Sequence, residues 1–98
     1  MNRNEAIAKL HGCAAAVKAR GAISLYLFGS AARDEALPDS DLDLFIDYDP
    51  NRKFSLVDLV GIKLLLEDEL GTQVDVTTRD SLHPMLRKDI ESSAVRVF

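Results

Sequence analysis

Apolar residues recur with a helical period in three segments, each bounded by residues that start or stop helices. A first helix is predicted from Asn4 to Ala19, and a second, far more apolar one from Phe54 to Leu70. A third is predicted to follow Asp80-Ser81 and run to about Ser92, with Pro84 tolerated in its first turn. Glycines close the first two helices, as is typical of C-terminal caps. These glycines are Gly21 and Gly71.

Other segments have the pattern of β-strands. Ile23 to Phe28 is a short apolar run, typical of a buried strand. Asp41 to Ile46 and Gln73 to Thr77 alternate between apolar and polar residues, so each is expected to place its apolar side chains on one face. Val95 to Phe98 is predicted as a short terminal strand.

The connecting segments complete the element order. Leu37-Pro38-Asp39-Ser40 and Asp49-Pro50-Asn51 have turn composition. Ser30 is predicted to cap a short helix that runs to about Glu35. The resulting order, α-β-α-β-α-β-α-β, predicts one α/β (α+β) domain over residues 1–98, with helices packed on a mixed sheet.

Composition narrows the classes of function. The net charge is −4 and the 12 basic residues form no stripe, so no nucleic acid is expected as partner. No apolar run approaches the ~20 residues that span a bilayer, and the first residues lack the apolar stretch of a secretory signal. The single cysteine, Cys13, is typical of a reducing compartment. We therefore expect a cytoplasmic protein that does not enter a membrane.

Acidic residues occupy the polar faces of two predicted strands. Asp41 and Asp43 project from one face, with Cα atoms roughly 6.5–7 Å apart. Each disfavours ionisation of the other, and a divalent cation removes that cost. Asp75 occupies the same face of another strand. If the strands are neighbours, the three carboxylates could hold two metal ions ~3.5–4 Å apart, as in displacement at phosphorus. The alternative is a solvated polar face, although Asp is disfavoured in strand interiors.

A second candidate element is Phe28-Gly29-Ser30, at a strand–helix junction. Glycine lets the backbone approach a ligand closely, and the following helix offers free N–H groups to a phosphate. Taken alone, Gly-Ser is more often an ordinary turn. Ten residues, however, separate it from Asp41-Leu42-Asp43, and a chance match to this spacing in so short a chain is on the order of one in a thousand.

These motifs make the chain resemble the polymerase-beta-like nucleotidyltransferases, and among them the minimal nucleotidyltransferases. The matching segments are LFGSAARDEALPDSDLDLFI and QVDVTT, followed by LHPMLRKDIESSAVRVF. The resemblance implies the fold of that superfamily and transfer of AMP from ATP to an acceptor hydroxyl. It also implies that Asp41, Asp43 and Asp75 hold two Mg²⁺ ions, while Gly29 and Ser30 contact the triphosphate.

Arg33 and Asp34, which follow the Gly-Ser pair, also bear on this assignment. Arg33 matches an arginine that the family places near the phosphates; the alternative is a surface ion pair with Asp34 or Asp39. Many relatives carry glycine directly after that arginine, where this chain has Asp34. An acid at this position is expected to alter the short helix or to weaken phosphate binding.

The acceptor is expected to involve another protein. Larger members of the superfamily carry extra domains that bind the acceptor, and 98 residues leave no room for one. The helix at 54–70 has more apolar residues than one packed face requires, which indicates an interface for homo- or hetero-oligomers. The alternative is that its own domain buries it on two sides.

The resemblance also implies a specific partner. Minimal nucleotidyltransferases of this kind resemble antitoxins that transfer AMP to a tyrosine of a HEPN-domain ribonuclease toxin. Two other hypotheses stay open. One is the catalytic subunit of a two-subunit transferase that modifies a small-molecule alcohol. The other is a non-catalytic module that neutralises its partner by occlusion, which the intact Asp41, Asp43 and Asp75 disfavour.

The remaining polar candidates are interpreted as structural. Asp47 and Asp49 are expected to be solvated residues at the end of a strand, and Asp80 to cap the last helix. Lone histidines on predicted helices are expected at the surface. They are His11 and His83.

Overall fold

The computed structural model describes residues 1–35 and 41–98, so the turn predicted at 37–40 lies outside the described residues. The helices are α1 (Arg3–Gly12), α2 (Ala14–Ala19), α3 (Gly29–Ala32), α4 (Leu56–Leu70) and α5 (Pro84–Ser93). The strands are β1 (Ala22–Phe28), β2 (Leu42–Tyr48), β3 (Val74–Thr78) and β4 (Val95–Arg96). A short 3-10 helix, Arg79–Ser81, follows β3.

The strands form one mixed sheet in the order β3-β2-β1-β4. β1 pairs antiparallel with β2 and with β4, whereas β2 and β3 run parallel. Parallel neighbours need a crossover connection, and α4 supplies it between β2 and β3. The predicted α/β domain with a mixed sheet flanked by helices is confirmed.

The hydrophobic core lies between one face of this sheet and the helices α1, α2 and α4. β2 contributes Leu42, Leu44 and Ile46, which are fully buried or nearly so. The side chains that alternate with them point away from this core and lie on the opposite face of the sheet, which we call the open face. These residues are Asp43, Phe45 and Asp47.

The first predicted helix is divided at Cys13. The Cys13 backbone N–H bonds to the carbonyl of Leu10, three residues back, and α2 starts at the next residue. Gly12 stands immediately before the break, and glycine is the weakest helix former after proline. The buried apolar side continues across the break, since Ala6, Leu10 and Val17 are all fully buried.

Capping side chains move two helix starts away from their predicted positions. α4 begins at Leu56 rather than Phe54 because Ser55 and Asp58 form a reciprocal capping box. α5 begins at Pro84, and its cap is His83, whose Nδ1 accepts the backbone N–H of Met85 at 3.2 Å. Asp80 is therefore not the cap of the last helix, and that prediction is wrong.

Within the described ranges, the structure contains no helix that is long and apolar enough to cross a membrane.

Candidate active site

The structure brings two of the predicted carboxylates directly together. β2 and β3 are neighbours, and their register places Asp43 opposite Asp75, on strands about 4.8 Å apart. Both side chains point to the open face, because the residues beside them on each strand are buried. These buried neighbours are Leu42, Leu44, Val74 and Val76. Asp41 stands just before the first residue of β2 and is exposed.

Asp43 is the electrostatic centre of this group. Burial raises the pKa of its carboxyl group above the ordinary value, and the negative charges of Asp75 and then Asp41 raise it further. Partial burial and two like charges therefore both disfavour the ionised form. An arrangement of this kind costs stability unless a cation compensates it, which is typical of a functional site.

Gly29 lies against Asp43 and could not be another residue without strain. Its φ is +73°, in the left-handed region that side chains disfavour. A Cβ added to Gly29 would also overlap the Oδ2 atom of Asp43. The backbone of the Gly-Ser turn and the central carboxylate therefore form one compact unit.

Replacing Gly29 with Ala is expected to damage this unit specifically. The left-handed backbone costs about 1 kcal/mol for alanine, and the overlap forces the Asp43 side chain out of its position. We expect a lower melting temperature together with loss of nucleotidyl transfer. Gly71→Ala is a matched control, since it shares the left-handed backbone, at φ +69°, but its added Cβ meets nothing within 4 Å. Equal loss of transfer in both variants would contradict this reasoning.

Ser30 and Arg33 lie next to this unit, in roles that differ in part from those predicted. α3 begins at Gly29, so Ser30 is inside the first turn and is not its cap. The prediction of a cap at Ser30 and a helix through Glu35 is wrong, because the left-handed Gly29 opens the helix one residue earlier and it ends at Ala32. Arg33 pairs with Glu35, at 3.2 Å between Nε and Oε2, and not with Asp34. Asp39 lies outside the described residues.

Asp34 occupies a position that suits glycine. Its φ is +58°, and among the described residues it is the one non-glycine residue with a positive φ. Aspartate tolerates this region better than most residues, because its side chain can hydrogen-bond locally. Here Oδ1 accepts the backbone N–H of Arg3 at 3.0 Å, at the start of α1. Asp34 thus ties the amino terminus of the chain to the Gly-Ser segment.

Two substitutions at Asp34 separate the hydrogen bond from the backbone strain. Asp34→Ala loses the bond to Arg3 and keeps the strained backbone, so its free energy of unfolding is expected to fall by about 1–2 kcal/mol. Asp34→Gly loses the same bond but relieves the strain, and should be about 1 kcal/mol more stable than Asp34→Ala. Urea denaturation measures both values. An Asp34→Ala variant as stable as Asp34→Gly would contradict the strain argument.

The three acids suit a divalent cation in their chemistry. All of them supply oxygen, the donor that magnesium prefers. As the side chains lie, no three His, Cys, Asp or Glu groups within residues 1–35 and 41–98 are close enough to hold a metal ion. Asp41 and Asp75 are exposed, and besides burial it is the negative charges of Asp75 and Asp41 that raise the pKa of the Asp43 carboxyl group.

A polar network that the sequence reasoning missed lies further along the open face. The Arg79 guanidinium binds both carboxylate oxygens of Asp47, at 2.8 and 3.0 Å, and Oε2 of Glu91 at 2.6 Å. It also lies over the rings of Tyr26 and Phe45, 4.8 and 5.0 Å from their centroids. Because Arg79 follows β3 and Glu91 is on α5, this network attaches α5 to the open face.

The prediction that Asp47 is a solvated turn residue is wrong. β2 continues to Tyr48, so Asp47 extends the alternation begun by Asp43 and Phe45 and is partly buried. Asp49 does lie beyond the strand, and its carboxylate accepts a hydrogen bond from the backbone N–H of Asn51 in the following turn. Continuing the period-two pattern past Ile46 would have identified Asp47 from the sequence.

Comparisons with known proteins bear on the family and the fold of this chain. A sequence model of the nucleotidyltransferase domain matches residues 12–97. A provisionally named protein adenylyltransferase of Methanocaldococcus jannaschii is 43% identical over 72 residues, which cover 74% of this chain and 75% of that protein. The protein adenylyltransferase MntA of Thermococcus cleftensis is 32% identical over 77 residues, covering 79% of this chain and 76% of that one.

Solved structures share the fold. A provisionally named minimal nucleotidyltransferase superposes with a TM-score of 0.83 at 35% identity, over 97% of this chain and 95% of its own. A chain in the structure of a tri-AMPylated HEPN toxin of Shewanella oneidensis with its MNT antitoxin gives a TM-score of 0.64 at 14% identity, over 90% and 68% of the two chains; this likeness concerns the fold alone. With the domain match over residues 12–97, the closer relatives establish that this chain belongs to the nucleotidyltransferase domain family, as a minimal nucleotidyltransferase related to protein adenylyltransferases.

Proposed function

We propose that this enzyme transfers AMP from ATP to a tyrosine hydroxyl of a HEPN-domain toxin, and so acts in the cytoplasm as the antitoxin of that protein. The observation that carries the proposal is the contact between Gly29 and Asp43, with Asp75 opposite in the sheet. At this contact, a glycine turn whose backbone a phosphate can approach closely lies beside two carboxylates. A cation would relieve the repulsion between these carboxylates.

Asp41, Asp43 and Asp75 are the residues that would hold Mg²⁺ in this proposal. Bound magnesium would neutralise charge on the phosphates and on the attacking oxygen. Gly29 and Ser30 would bind the triphosphate through the backbone and the serine hydroxyl, and Arg33 would leave Glu35 to contact the phosphates. The Arg33 side chain is about half exposed, at 52%, and its ion pair with Glu35 is therefore weak.

The reaction then proceeds by displacement at the α-phosphorus of ATP. The acceptor oxygen forms a bond to that phosphorus while the bond to the β-bridging oxygen breaks, and pyrophosphate leaves. Asp75 would accept the acceptor's proton, since its side chain is exposed while Asp43 is half-buried beneath Gly29. The chain's own contribution is to position the two reactants and to balance their charge.

The choice of a protein acceptor rests on the relatives. Two relatives that are 43% and 32% identical are named as protein adenylyltransferases, provisionally in Methanocaldococcus jannaschii and outright for MntA of Thermococcus cleftensis. A structural neighbour contains a tri-AMPylated HEPN toxin bound to an MNT antitoxin. Both favour a protein acceptor over a small-molecule alcohol, and a tyrosine of such a toxin is the acceptor that the family resemblance implies.

The proposal is tested on the chain purified together with the protein encoded beside its gene. The pair is incubated with ATP and Mg²⁺, and intact-mass spectrometry is run on both proteins. We expect the mass of the neighbour to increase by whole AMP units, and tandem spectra to place each unit on a tyrosine. Omitting Mg²⁺ should abolish the increase.

The controls separate catalysis from binding. Asp43→Asn should abolish the mass increase, whereas Asp89→Asn, an exposed acid on α5, should not change it. Neutralisation of the neighbour by a stable complex without any mass increase would overturn the proposal in favour of the occlusion module. AMP transfer to a small alcohol but not to the neighbour would favour the small-molecule enzyme.

A further inference from the structure

α4 carries an apolar surface that its own domain leaves uncovered. Leu56, Val57, Val60 and Leu64 are exposed to 74, 78, 45 and 60%, and we call these four residues the α4 stripe. The prediction of excess apolar surface on this helix is confirmed, and the alternative of burial on two sides is wrong for these residues. Exposed apolar residues this close together indicate an interaction surface.

The α4 stripe is on the side of the helix away from the core. Val57, Val60 and Leu64 follow Leu56 by one, four and eight residues along the helix, so the four residues form a continuous surface. The core side of α4 is made by residues that are fully buried or nearly so, namely Ile62, Leu66 and Leu70. Because α4 covers the core face of the sheet, the stripe points away from the open face that carries Asp43.

Charges of opposite sign stand at the two ends of the α4 stripe. Arg52 and Lys53 are exposed just before the helix. Asp68 is exposed in the last turn. None of these three residues takes part in an ion pair within residues 1–35 and 41–98. The basic end and the acidic end are thus both available to a partner.

We propose that the α4 stripe binds the α4 stripe of a second copy of this chain, with the two helices antiparallel. In such a two-fold interface the same surface must be complementary to itself. Val60 is four residues from both Leu56 and Leu64, and eight from both Arg52 and Asp68. An axis at Val60 therefore brings Leu56 onto Leu64 and the basic end of each copy onto the acidic end of the other.

The size of the stripe determines how strong this dimer is. A helix of 15 residues is about 22 Å long, and one such helix buries less than the roughly 800 Å² per partner of a standard stable interface. The dimer is therefore expected to dissociate with a constant on the order of micromolar, and to weaken at high salt because its end contacts are ionic. The open face stays accessible in both copies.

Sedimentation velocity of the full-length chain tests the proposal directly. Wild-type chain is expected to shift from monomer to dimer as its concentration rises from low to several hundred micromolar. Val60→Asp places two like charges at the axis and should raise the dissociation constant at least about tenfold. Met85→Asp is a matched control on α5, where Met85 is 83% exposed, and it should dimerise like wild type. A wild-type chain that stays monomeric throughout would overturn the proposal.

Charge exchange keeps the test valid even if Val60→Asp is misfolded. Arg52→Glu and Asp68→Lys should each weaken self-association, because each homodimer then has like charges at both ends. An equimolar mixture of the two variants should form a heterodimer, since both ends are again opposite in charge. Failure of the mixture to associate more tightly than either variant alone would overturn the antiparallel arrangement.

Discussion

Asp43→Asn is expected to abolish nucleotidyl transfer, by at least about a thousandfold, while the domain remains folded. Asp43 contacts the Gly29 turn and also faces Asp75 in the sheet. Asn keeps the size of the side chain but cannot supply the negative charge that a bound cation requires. Initial rates of AMP transfer, measured at saturating ATP and Mg²⁺, give the size of the loss.

The same substitution should not destabilise the fold. The pKa of Asp43 is raised by burial and by Asp75 and Asp41, which means that its ionised form is disfavoured in the folded chain. At neutral pH this costs stability, because the carboxyl group ionises more readily in the unfolded chain. Without Mg²⁺, the melting temperature of Asp43→Asn is expected to equal or exceed that of wild type. A lower melting temperature, or retained transfer, would contradict the assignment of Asp43.

Arg79→Met is expected to lower the free energy of unfolding more than Gly29→Ala, Asp34→Ala or Asp43→Asn. It removes the guanidinium that joins Asp47 to Glu91, so that Asp47 keeps the Ser24 hydroxyl and Glu91 keeps Arg87, and it removes the cation from the rings of Tyr26 and Phe45. Breaking a fully buried pair costs about 3–5 kcal/mol. Since Arg79 and Asp47 are 26% and 29% exposed, we expect about 2 kcal/mol, measured by urea denaturation.

Acid pH gives a second measure of the same contact. Burial alone would raise the pKa of Asp47, but hydrogen bonds from Arg79 and Ser24 outweigh it, and the pKa lies below its ordinary value. The stabilisation is therefore complete above about pH 4, the unfolded pKa, and is lost as pH falls through the lower pKa of the folded chain. Arg79→Met should flatten this part of the stability profile.

A double variant distinguishes the loss of an ion pair from the loss of packing. If the cost of Arg79→Met comes from an uncompensated carboxylate, adding Asp47→Leu should recover part of the stability. If the double variant is instead less stable by the sum of both single effects, the two side chains do not interact as the structure indicates.

The site was predictable because its residues follow a local pattern. Alternation at 41–46 and 73–77 requires only the two-residue period of a strand, and it correctly placed Asp43 and Asp75 away from the core. The turn at Gly29 was predictable for a similar reason, since only glycine combines a positive φ with close approach to a carboxylate. The roles of these residues in binding metal and nucleotide stay predictions.

Most of the wrong predictions depend on partners that are distant in the sequence or on competition between neighbouring caps. Strand alternation could have placed Asp47 on β2, but its ion pair could not be predicted, because Arg79 is 32 residues away. Asp80 was expected to cap a helix, but it accepts hydrogen bonds from Tyr48 and Thr78. Asp34 has a left-handed backbone that suits glycine, and its hydrogen bond to Arg3, 31 residues away, helps to hold the acid there.

By itself, the sequence determined the α/β class, the alternating strands and the Gly-Ser and acidic motifs, because these depend on spacing along a few consecutive residues. The tertiary structure decided that β2 and β3 are parallel neighbours, which brings Asp43 onto Asp75. It also decided that Arg79 joins Asp47 to Glu91 and which apolar residues of α4 are left uncovered. These features could not be predicted from local pattern, since they arise where distant segments compete for the same core and only the folded chain settles which of them pack together.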